Sequence, residues 1–146
     1  MPDLDLVLAI LHHLAALTLL ASLVAQLTLL KAPLCQQSVP MLARIDLGYG
    51  LSALAILVIG GLRVSFAAKG WEFYALNAAF WAKMALFAVI GGLSVVPTLL
   101  FRRWLRAGVI PATQLVLVRR LVTLEVALFA LLPVFAVLMA RGLIRL

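Results

Sequence analysis

Charge is the scarcest property of this sequence. Only 12% of its 146 residues are Asp, Glu, Lys or Arg, where a soluble domain carries about 25%. Hydrophobic residues make up 66%, and the mean hydropathy is +1.23. An ordinary water-soluble core cannot absorb that composition. Acids are rarer still, five against twelve Lys and Arg. Cys35 is the sole cysteine, which excludes an intrachain disulfide and leaves a loop thiol read as inert. The first apolar run follows MPDLDL rather than a basic stretch. It is too long for the apolar region of a signal peptide, so it is expected to remain in the mature chain. Phosphate loops, catalytic triads, metal-ligand spacings, low-complexity tracts and internal repeats are missing as well.

What is present is a set of long apolar runs. Leu6 to Leu30 holds no formal charge and is long enough to cross a bilayer. The pattern predicts an all-α, integral membrane four-helix bundle, a single domain over residues 1–146, with helices at about 6–30, 45–66, 78–101 and 115–140. The net charge of +7 does not point to nucleic acid, because the basic residues sit at helix ends and in short loops, where they set topology. The expected partner is the lipid bilayer.

Lys31, Pro33 and Pro40 are expected to end helix one in the loop KAPLCQQSVPMLAR. In helix two, Gly48 and Ser52, then Gly60 and Gly61, allow close helix approach, and would serve a homodimer equally. Trp71, Phe73 and Tyr74 around Lys69 and Glu72 have the composition of an interfacial belt. Asn77 is the expected N-cap of helix three. Pro97 frees the Leu93 carbonyl and predicts a kink. Gly108 and Pro111 mark the next turn, and Pro133 lies in the last third of helix four. Seven basic residues (Lys31, Arg44, Arg102, Arg103, Arg106, Arg119, Arg120) fall on one side, against Arg63, Lys69, Arg141 and Arg145 on the other. This bias predicts both termini outside.

Two polar sets follow from depth. At ~1.5 Å per residue, His12, Lys83 and Arg63 lie about 9, 8 and 5 Å from the outer ends of their helices, near Phe66, Phe80, Trp81, Met84 and Met139. His12 shares a helix stripe with Gln26 while the adjacent His13 points about 100° away, so His12 is the expected inward histidine. Arg63 aligns with Ser52 and Tyr49, and Lys83 with Ser94 and Pro97. The second set, Arg44, Asp46, Arg119 and Glu125, lies toward the inner surface. It is read as an ion-pair clasp, or alternatively as access for a proton or ion.

The outer set has the parts of a haem b site. These are an imidazole ligand from His12 or His13, cations for propionates in Arg63 and Lys83, and apolar walls in Trp81, Phe66 and Phe87. One helix cannot present both histidines to one iron, so a bis-histidine site needs a dimer. Otherwise the sixth position is open, or is filled by water or Lys83. Copper is the alternative, with His12 joined by Met84 and Met139. Without any cofactor, His12 would bond a carbonyl or Gln26 while Arg63 and Lys83 snorkel to the interface.

The stretches LHHLAALTLLASLVAQ, DLGYGLSALAILVIGGLRVSF, KGWEFYALNAAFWAKMALFAVIGGLSVVPTLLFRRW and RRLVTLEVALFALLPVFAVLMARG together resemble the bacterial membrane family called domain of unknown function 2214. Arg63 to Thr98 is the most specific part. That family is remotely similar to HemJ-type protoporphyrinogen oxidases, through the histidine of an early helix. It is also remotely similar to CopD-type copper-resistance proteins, through Trp81-Ala82-Lys83. The resemblance implies a multi-pass protein of the bacterial inner membrane. It leaves open a haem-binding oxidoreductase or electron carrier, a copper-handling or small-molecule-binding protein, and a packing subunit with no cofactor.

Overall fold

The computed structural model describes residues 2–66 and 70–141. Lys69 and Arg145, both used in the charge count, lie outside them. The described residues form α1 (Pro2–Lys31), a 3-10 turn (Gln36–Ser38), α2 (Val39–Phe66), α3 (Trp71–Ala75), α4 (Ala78–Ala107), α5 (Ala112–Phe129) and α6 (Leu132–Ala140). Four segments are long and apolar enough to cross a membrane: Leu4–Lys31, Gln36–Phe66, Ala78–Ala107 and Ala112–Ala140. The all-α membrane bundle expected from composition is what the chain forms. Leu- and Ala-rich runs favour helix, and a bilayer demands that each backbone polar group be satisfied within its own segment.

Helix bounds differ from expectation where prolines and arginines were read as loop. Pro40 does not terminate α1 but sits in the first turn of α2, where a missing N–H costs no intrahelical bond. Arg44 is therefore helical. Helix α4 runs six residues past the expected end, carrying Arg102, Arg103 and Arg106 in its last turns, where cations complement the helix dipole. It stops at Gly108, whose φ of 67° is open to glycine and whose N–H bonds the Trp104 carbonyl at 3.0 Å. Helix α4 continues through Pro97 without interruption. The last span does break, between Phe129 and Leu132. Pro133 has no N–H to offer the Phe129 carbonyl one turn back. The belt residues Trp71 to Ala75 form a short helix rather than a loop. Asn77 caps α4 as expected, its side chain accepting from the Ala79 N–H at 3.0 Å. Its amide also donates to the Met139 carbonyl at 3.4 Å, tying α6 to the start of α4.

The spans close into a ring: α1 packs on α2 and α5, and α4 packs on α2, α5 and α6. Leu, Val and Ile cover the outside as well as the core, and a few polar residues, among them Gln26, Asp46, Ser52 and Glu125, are buried within it. One apolar layer (Leu30, Val39, Leu42, Phe101, Trp104, Val118 and Val122) fills the end near the 3-10 turn. A second (Leu19, Leu23, Tyr49, Ile90 and Phe129) fills the middle.

Candidate functional site

Helices α1 and α2 form an antiparallel hairpin with one register along its length. His12 faces Gly60. Fourteen residues on from His12 and fourteen back from Gly60, Gln26 meets Asp46. This register separates the polar residues into two groups.

The first group lies toward the chain termini. The His12 ring is half-buried against Gly60, where an added Cβ would lie 3.4 Å from His12 Cε1 and 3.8 Å from Nδ1. Gly60 thus leaves room for an imidazole between the two backbones. Nδ1 of His12 is buried and has no hydrogen-bond partner. The bond to a carbonyl or to Gln26 that the cofactor-free alternative gave His12 is not formed at this nitrogen, and Gln26 lies about 21 Å along the helix. His13 is exposed, its Nδ1 2.7 Å from the Ala9 carbonyl, which accepts. The two rings meet edge to face at 6.2 Å, as the divergent directions of adjacent residues require. Arg63 and Lys83 act on His12 through Coulombic interaction. Arg63 Nε lies 3.7 Å from Asp5 Oδ1, the one ion pair among the described residues. Two basic side chains and His13 thus act on the His12 ring, with the Asp5 carboxylate beside Arg63.

Trp81 is placed elsewhere. It is exposed, donates from Nε1 to the Ala75 carbonyl at 3.0 Å, and packs on Phe80 at the end of an aromatic row through Tyr74 and Phe73. Phe66 is also exposed. Met84 and Met139 are half-buried. Among the described residues, no group of three or more His, Cys, Asp or Glu could hold a metal ion.

The second group lies at mid-span and toward the 3-10 turn. Asp46 Oδ1 accepts from Gln26 Nε2 at 3.3 Å and from Thr98 Oγ1 at 3.1 Å. Glu125, 1% exposed, lies beside the Tyr49 hydroxyl, which in turn neighbours the Ser94 hydroxyl. Oε1 of Glu125 has no partner. All four spans contribute to this cluster. The expected arginine clasp is not its basis. Arg44 is exposed, since two residues on a helix turn it about 200° from Asp46. Arg119 is spent on the Leu30 carbonyl, to which its Nε donates. Sequence reasoning assigned Thr98, Ser94 and Tyr49 no role beside these acids. Their signal was a run of small polar residues at one depth, legible only once the hairpin register is known.

No curated protein and no solved structure matches the chain. A family model described as "Predicted membrane protein (DUF2214)" matches residues 4–143, nearly the whole length, and the chain belongs to that family of membrane proteins.

Proposed function

We propose that the protein is a haem-binding membrane bundle, an oxidoreductase or electron carrier of the bacterial inner membrane with both termini outside, and that His12 is its axial ligand. The observation that carries this reading is the His12 ring nitrogen, buried without a partner where the imidazole packs against Gly60. Buried polar groups are ordinarily satisfied, and an orphan asks for an explanation. A metal-bound imidazole supplies one. The flanking cations suit carboxylates, so Arg63 and Lys83 would hold propionates while Asp5 keeps Arg63 in place. Haem bound there would supply one-electron exchange at its iron. The protein's own part is to seat the imidazole, neutralise the propionates and keep lipid and water off the ligand side. His13 offers a second imidazole on the outer surface, where a further copy of the chain would meet it.

The test is an absorbance spectrum of the full chain in mild detergent, oxidised and dithionite-reduced, after expression with ample haem. A Soret band that shifts on reduction and disappears in His12→Ala, while surviving in His13→Ala, is expected. Gly60→Leu should also lose it, because the larger side chain occupies the imidazole's space. Colourless wild-type protein, or a band untouched by His12→Ala, would overturn the reading.

A further inference from the structure

We propose that Glu125, Tyr49 and Asp46 form a proton-holding site at the centre of the bundle, in which Glu125 takes up one exchangeable proton. The site is separate from the His12 niche and stands whether or not a cofactor binds there.

Position comes first. Glu125 lies thirteen residues after Ala112 and fifteen before Ala140, the ends of its span. It is thus about 20 Å from either end. At this depth an ionisable side chain is costly and marks a site by default. Its burial is nearly complete, and Asp46 is 8% exposed.

The hydrogen bonds differ between the two acids. Asp46 receives two donors on one oxygen, from Gln26 and Thr98, and Arg102 of α4 acts on it electrostatically. Asp46 thus has hydrogen-bond donors for its acceptor oxygen. Glu125 has the Tyr49 hydroxyl and, on Oε1, nothing. No Lys or Arg lies within 4 Å of it among the described residues. A bare carboxylate in such a place costs far more than a protonated one, and two neighbouring carboxylates disfavour a second negative charge. The groups facing the pair are Gln26 from α1, Tyr49 from α2, and Ser94, Thr98 and Arg102 from α4. None of them can neutralise both acids.

A proton fits better than a metal ion. A proton needs only the unpartnered Glu125 Oε1, whereas a sodium or potassium ion would need several oxygens arranged around it. Ser94 donates to the Gly91 carbonyl at 2.7 Å, and Thr98 to Asp46. Uptake forms one O–H bond on the Glu125 carboxyl and breaks one in hydronium, leaving water. No electron moves. Apolar layers flank the site on both sides, with Leu42, Phe101 and Val122 toward the 3-10 turn and Leu19, Ile90 and Phe129 toward the termini.

The experiment is infrared difference spectroscopy on the full chain in liposomes, titrated with pH in H2O and D2O. A protonated-carboxyl C=O band that shifts in D2O and titrates reversibly is expected. Glu125→Gln should remove it. Asp46→Asn should move its titration along the pH axis, because the neighbouring charge is gone. Tyr49→Phe, which keeps the shape, should shift its frequency by removing the hydrogen bond. A structural role alone would move none of these. Wild-type protein with no such band at any pH, a band that survives Glu125→Gln, or a band displaced by sodium at constant pH would overturn the proposal.

Discussion

At the scale of single residues, Cys35 shows how a local bond changes chemistry. Its thiol lies 3.3 Å from the Ser38 hydroxyl across the 3-10 turn. That hydrogen bond, aided by backbone N–H groups of the same turn and opposed by slight desolvation, lowers the thiol from its ordinary value. The thiolate is the reactive form, so a lowered value places more of it at neutral pH. Maleimide labelling in detergent should therefore rise at lower pH in wild type than in Ser38→Ala, with the variant several-fold slower near neutrality. Superimposed pH profiles would show that the bond contributes nothing. The sequence shows the cysteine and its exposure in a loop, but not the serine's reach, which depends on a turn that no apolar period announces. His12 and His13 illustrate the same limit. Their divergence follows from 100° per residue. That Gly60 faces one of them follows only from the register of the hairpin.

At the scale of elements, the spans are legible because a bilayer allows so few backbone solutions, and their ends are not. Proline and arginine read as loop residues in an apolar chain. Yet Pro40 starts a helix, the arginines from Arg102 to Arg106 finish one, and Pro133 divides another. The end near the 3-10 turn depends on Trp104. It is fully buried, packs on Phe101 at 5.7 Å, and donates from Nε1 to Gln114 Oε1 at 2.8 Å. Its carbonyl receives the Gln36 amide at 3.0 Å, so one residue joins the two turns at this end. Trp104→Ala should cost about 3–5 kcal/mol, read from the unfolding midpoint in mixed micelles. Val116→Ala on the exposed face of α5 should cost far less. Equal losses would mean that α4 does not seal this end.

At the scale of the whole molecule, four spans put Pro2 and Arg141, the ends of the described residues, on one side and leave the Cys35 turn on the other. With seven Lys and Arg assigned to that turn's side against four, a membrane-impermeant maleimide should leave Cys35 unlabelled in intact spheroplasts and label it after permeabilisation. Labelling of intact spheroplasts would invert the topology. The burial of amide and carboxyl groups in an apolar bundle has a further consequence for synthesis. The chain emerges from the ribosome in order, and each costly group follows a partner already made. Gln26 precedes Asp46, and Tyr49 precedes Glu125. The first two spans can thus enter the bilayer as a hairpin whose acid already has a donor. The last span carries its glutamate toward a hydroxyl already in the membrane. A circular permutant that delivered α5 first would present Glu125 to lipid alone.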